Sequence, residues 1–123
     1  MKKSIVTASL IMLVVVLSSF TTEMAISDKH LVGTWGYETP DAPYEYQKGD
    51  LIFEMKDGKL VGSVSIDGYK IEMEDIKNGK DKFTCDIYVE GEVVTLDLKF
   101  TKKAFSGTAT YSEGSLDISG TKK

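Results

Sequence analysis

The chain has no arginine, one cysteine, one tryptophan, one histidine and two prolines. Each scarcity excludes something. Arginine is the side chain that grips phosphates and carboxylates with a planar fork. Here all 15 basic residues are lysine, and 19 acidic residues outnumber them, so the chain does not read as a nucleic-acid binder. A lone cysteine, Cys85, excludes an intrachain disulfide and any zinc site of paired cysteines. A lone histidine, His30, leaves a histidine-based triad with no second candidate, and no nucleophile is paired with it locally. No Gly-rich phosphate loop, dinucleotide fingerprint or Asp-x-Asp-x-Asp-Gly calcium loop occurs. No catalytic residue, metal ligand or cofactor is therefore assigned. Sustained helical periodicity is also missing after residue 30.

What is present begins with a leader pattern. Lys2 and Lys3 precede an uncharged apolar run over residues 5–17, followed by small and polar residues. That order reads as a secretory signal peptide, with an uncleaved N-terminal anchor as the alternative, and the run is shorter than the roughly 20 residues of a membrane-spanning helix. Residues 1–25 are assigned to it, with cleavage between Thr21 and Ala25. No cysteine follows the run to carry a lipid anchor. Residues 26–123 are then one exported domain, periplasmic or secreted, with no membrane span after cleavage and a core of modest size.

Beyond Lys29 the pattern has period two, the signature of strands with one dry and one wet face. Leu51, Phe53 and Met55 alternate with Asp50, Glu54 and Lys56. Tyr69, Ile71 and Met73 alternate with Lys70, Glu72 and Glu74. Phe83, Cys85, Ile87 and Val89 form another dry row, as do Val94, Leu96, Leu98 and Phe100. Cys85 thus reads as a small core residue. Between the rows lie turn dipeptides: Asp57-Gly58, Asp67-Gly68, Asn78-Gly79, Glu90-Gly91 and Glu113-Gly114. Asp-Gly pairs favour two-residue hairpins because both central residues need positive φ. The pattern predicts about eight antiparallel strands in a meander. Such a meander hides its dry face by closing into an up-and-down barrel or by folding into a β-sandwich. Uniformly short hairpins favour the barrel.

Gly33-Thr34-Trp35 opens the first strand, and this Gly-x-Trp start of an up-and-down meander resembles the signature of calycins, the superfamily of lipocalins, fatty-acid-binding proteins and avidins. The resemblance implies that Trp35 plugs one end of the barrel, with Gly33 allowing close backbone packing. It also implies a basic residue near the last strand against the Trp. Lipocalins use arginine there, and only Lys122 or Lys123 could approximate it in this chain. The wider pattern is similar to small exported bacterial barrel domains of unassigned activity.

The inward set contains many large residues, among them Phe53, Met55, Tyr69, Phe83, Phe100, Phe105 and Tyr111. It reads as a filled core, with a small, mainly apolar pocket as the alternative. The loop that carries Pro40 and Pro43 is stiff and aromatic, through Tyr44 and Tyr46. Tyr44, Tyr46, Tyr69, Met73 and Tyr111 are the candidate ligand contacts, and Gly33 and Trp35 the structural plug. The expected function is a non-catalytic binding module for a small apolar or amphipathic ligand. The alternative is an accessory domain with a filled core that binds an envelope protein or glycan through surface tyrosines, Tyr44, Tyr46 and Tyr88. The acidic pairs, Glu90 and Glu92 included, read as solvated charge.

Overall fold

Hairpin chemistry sets the topology. Asp57 and Gly58, Asp67 and Gly68, and Glu90 and Gly91 all take positive φ in consecutive pairs, the backbone of a two-residue turn that matches the twist of its flanking strands. A computed structural model describes residues 26–123, and the leader expected over residues 1–25 lies outside the described residues. Among the described residues, a four-residue helix α1 (Asp28–Leu31) precedes nine strands. These are β1 (Gly33–Glu38), β2 (Lys48–Lys56), β3 (Lys59–Ile66), β4 (Tyr69–Glu72), β5 (Glu74–Asn78), β6 (Phe83–Val89), β7 (Glu92–Phe100), β8 (Ala104–Tyr111) and β9 (Gly114–Lys122). Every pairing is antiparallel, and β1 pairs with β9 as well as with β2. The sheet order β4-β3-β2-β1-β9-β8-β7-β6-β5 is a meander wrapped on itself, a nearly closed barrel.

The ninth strand arises from a bend in the fourth. Tyr69–Glu72 pairs with β3, and Glu74–Asn78 pairs with β6. Met73 sits at the joint, its N–H donating to the Gly62 carbonyl at 2.9 Å. Asp75 follows at φ 51°, where the register with β6 shifts. A bulge of this kind bends a strand and sharpens its twist, and here it passes one strand from one side of the barrel seam to the other. The expected eight strands are thus present, with one of them broken in two.

The interior facing follows the predicted alternation along most strands. Leu51, Phe53, Val64, Phe83, Cys85, Leu96 and Leu98 are all buried. Two residues of the dry rows depart from it. Met55 is 38% exposed and Tyr69 74% exposed. Both sit beside hairpins, at strand ends that reach past the packed interior. Alternation fixes the face of a residue but not its depth. Gly107, a small inward position, marks close strand contact, since a Cβ there would collide with the Asp97 carbonyl on β7.

The base of the barrel is filled by aromatic rings. Trp35 is fully buried and meets Phe100 edge-on, with centroids 4.9 Å apart at 76°. Phe100 also packs against Phe53, Phe83 and Phe105 at 5.2–5.9 Å, the separations that ring quadrupoles favour. Helix α1, too short to be foreseen from periodicity, closes the base beneath them and buries Leu31. Ser27 caps its start by accepting from the His30 N–H at 3.3 Å. His30 is therefore a helix residue, and its ring hydrogen-bonds the Lys102 carbonyl at 2.8 Å. The last carbonyls of a helix have no partner within it. Here the Trp35 Nε1–H donates to the Leu31 carbonyl at 2.9 Å, and Lys122 Nζ donates to the His30 carbonyl at 2.6 Å. The same ammonium stands 5.4 Å from the Trp35 ring centroid, within cation–π range. Lys122, not Lys123, is thus the lysine against the Trp. Lys123 pairs with Asp50 on the outer wall. Gly33 has φ 129°, a backbone that favours glycine.

Trp35→Ala removes the ring on which this base is built. It is expected to lower stability by about 3–5 kcal/mol, a large part of the roughly 5–15 kcal/mol available to a small domain. Urea unfolding checks this, and a wild-type midpoint would place Trp35 outside the core.

Candidate functional site

Above the aromatic base the barrel is hollow. A cavity of about 370 Å³ opens at the end where the segment 39–47 and the β3–β4, β6–β7 and β8–β9 hairpins cluster. The change from filled to hollow takes one step along each strand. Leu51 lines the cavity and Phe53 does not. Ile87 lines it and Cys85 does not, and Leu96 lines it while Leu98 does not. The rings that reach across the interior lie in the lower layer. The upper layer presents Val64, Ile66, Ile87, Leu96, Ala109 and Ile118, whose side chains are too short to meet in the middle. The expectation of a filled core therefore holds for the lower half, and the alternative of a mainly apolar pocket for the upper.

The proline-bounded loop forms one wall of the mouth. Its backbone is tied down by Thr39 N–H donating to the Gln47 carbonyl at 2.8 Å and Ala42 N–H to the Thr39 carbonyl at 3.1 Å. Gln47 Nε2 donates to the Ala42 carbonyl at 3.0 Å. From the barrel wall the Tyr37 hydroxyl donates to the Tyr46 carbonyl at 3.1 Å. Burial, with the Asp50 charge adding to it, pushes the Tyr37 phenol up to about 12, so it remains a donor across the physiological range. The Glu90 carboxylate on the facing hairpin foremost, and burial after it, hold the Tyr46 phenol above its ordinary value.

The sequence candidates separate at this site. Tyr46 and Tyr111 line the cavity. Tyr44 is 88% exposed: it and Tyr46 lie in a 3₁₀ turn (Tyr44–Tyr46), where three residues complete a turn and neighbours two apart point in different directions. Tyr69 stands outside the rim, and Met73 is buried at the strand bend against Gly62. Neither lines the cavity. Four carboxylates that read as solvated charge or went unremarked do line it: Asp41, Glu90, Glu92 and Glu113. Glu92 accepts from the Ser112 N–H at 2.8 Å and from the Ser112 hydroxyl, which holds its pKa below the ordinary value. The carboxylates of Asp41 and Glu113 have no hydrogen-bond or ion-pair partner among the described residues. No lysine or histidine lines the cavity. The loops of the opposite end are rich in lysine, with Lys80, Lys82, Lys102 and Lys103. Up-and-down connectivity was the signal that could have found the acidic rim, because it sends alternate loops to the same end.

One further group was missed. Thr39 is only 6% exposed, lines the cavity, and leaves its Oγ1 without a hydrogen-bond partner. Buried hydroxyls are ordinarily paired. A second depression, on the outer wall across β2, β1 and β9, is broad and open, and the 2.7 Å Lys123–Asp50 ion pair borders it. Among the described residues no group of three His, Cys, Asp or Glu side chains is placed to hold a metal ion.

No protein-family model and no curated protein matches the chain. Among solved structures it is similar to a redesigned β-barrel, with a TM-score of 0.54 and 19% identity over 83% of this chain and 98% of that one. The likeness is one of fold.

Cys85 lies below the cavity floor, buried, with its thiol pushed up to about 12 by desolvation and then by Asp86. Because the thiolate is the reactive form, labelling by a thiol reagent at neutral pH is expected to be slow in the native protein and fast in denaturant. Rapid native labelling would contradict the inward phase of β6.

Proposed function

We propose that the protein is a non-catalytic binding module of the exported compartment, which takes a small apolar or amphipathic ligand into the upper half of the barrel. The observation that carries this reading is the cavity itself. Its volume of about 370 Å³ falls at the lower end of the roughly 300–1,000 Å³ typical of ligand sites. Its walls are hydrocarbon and its few polar groups gather at the mouth, the usual division between affinity and orientation. The calycin resemblance supports the same reading through Gly33, Trp35 and the place Lys122 takes against the indole. The leader pattern of Lys2, Lys3 and residues 5–17 supports export. A second reading, an accessory domain that binds an envelope protein or glycan, draws on the exposure of Tyr44, Tyr69 and Tyr88 at or near the same end.

The neutral dye N-phenylnaphthylamine separates the two. Dye fluorescence is expected to rise on binding to the wild-type protein. Ala109→Trp, which extends a ring from β8 into the cavity, is expected to weaken binding by about fivefold or more, a change of about 1 kcal/mol. Native mass spectrometry of the protein recovered from the periplasm is expected to show a retained small molecule. Dye binding that is equal in the variant would locate the dye on the surface and remove the support for an internal site.

A further inference from the structure

We propose that Asn78 is a deamidation site, and that its conversion to a carboxylate unlatches helix α1 from the base of the barrel. Asn78 is the only asparagine of the chain, and Gly79 follows it. Neither residue takes positive φ, so the two-residue turn that Asn-Gly favours does not form. Asn78 ends β5, and residues 79–82 carry the chain on to β6. The side-chain amide serves a tertiary contact instead. Its Nδ2 donates to the Ile26 carbonyl at 2.7 Å and to the Asp28 carboxylate at 2.9 Å, which ties the start of α1 to β5.

The same pair of residues has an intrinsic reaction. The Gly79 nitrogen attacks Asn78 Cγ, and its proton leaves with Nδ2 as ammonia. A cyclic imide results, and water opens it at either carbonyl to give aspartate or isoaspartate. Glycine leaves the attacking nitrogen unhindered, because it has no Cβ. In the closed protein both reacting groups are engaged. The amide is held by α1, and the Gly79 N–H donates to the Lys82 carbonyl at 2.9 Å. Reaction therefore proceeds from a locally opened state.

The product cannot remake the latch. A side-chain amide brings two N–H donors, whereas an ionised carboxylate only accepts. Both partners, the Ile26 carbonyl and the Asp28 carboxylate, are acceptors too. Conversion thus removes two hydrogen bonds and sets two like charges side by side. A helix of four residues has no stability of its own to resist this. Its departure withdraws the Leu31 carbonyl from the Trp35 Nε1–H and uncovers the only tryptophan of the chain.

Mass spectrometry and tryptophan fluorescence of the mature protein, aged in mildly alkaline buffer, test the proposal. Deamidation at Asn78 is expected to run roughly tenfold or more slowly in the native protein than in the chain unfolded by guanidinium chloride. Ser27→Ala removes the cap of α1 without touching either reacting group, and is expected to speed the native reaction by about threefold or more. The deamidated protein and Asn78→Asp are both expected to show red-shifted Trp35 emission and about twofold or more greater quenching by acrylamide. Asn78→Asp combined with Asp28→Asn returns a donor to the pair, and is expected to shield Trp35 better than Asn78→Asp alone. Absence of deamidation in the unfolded chain would overturn the site. Equal rates in the native and unfolded chain would overturn its protection by α1. Wild-type emission and quenching in the deamidated protein would overturn the unlatching. Rate and emission are both read on the wild-type chain, so a variant that fails to fold leaves the test intact.

Discussion

The barrel is organised around the edge-on contact between Trp35 and Phe100 at its base. A fully buried indole ordinarily pairs its N–H, and here it does so with the Leu31 carbonyl at the end of α1. The four-residue helix in turn has carbonyls it cannot satisfy itself. Trp35 and Lys122 satisfy two of them from inside the barrel. The helix covers the base, and the base caps the helix. The helix depends on that base, because a helix this short has no stability of its own. Asn78 reinforces the joint from β5, where its amide donates to the Ile26 carbonyl at 2.7 Å and to the Asp28 carboxylate at 2.9 Å.

With one end sealed, the volume of the upper half follows from side-chain length. An eight-stranded barrel is just wide enough to be filled by side chains or to hold one small ligand. Phe53, Phe83, Phe100 and Phe105 span the width in the lower layer. Valine, isoleucine, leucine and alanine do not span it in the upper one. The cavity is thus a consequence of where the sequence stops spending aromatic residues. The loop 39–47 does not fill it. Gln47 and Tyr37 hold that loop along the rim.

The charge distribution follows from connectivity. In an up-and-down barrel every second loop lies at the same end, so acidic residues that are distant in sequence (Asp41, Glu90, Glu92 and Glu113) come to share one opening. Lysines in the alternate loops gather at the other. A chain with modest net charge, −4, can therefore present a mouth whose lining carries one sign only. A low-dielectric wall beside such a mouth strengthens its attraction for an opposite charge.

The sequence by itself determined the strand faces along most strands, the hairpins and the antiparallel meander, and favoured a barrel over a β-sandwich. Each depends on neighbours one or two residues apart: the alternation of Phe83, Cys85 and Ile87, the positive φ open to Asp57-Gly58, and the ring of Trp35 behind Gly33. Short-range constraints of this kind are written directly in the chain. Tertiary structure alone decided depth and company. It placed Tyr69 outside the rim and Met73 in the strand bend, and it turned Tyr44 and Tyr46 apart in a 3₁₀ turn. It also buried the Thr39 hydroxyl without a partner and set four carboxylates around one opening. No local pattern encodes those outcomes, because each depends on how far a strand extends past its neighbours and on which loops the closed sheet brings together.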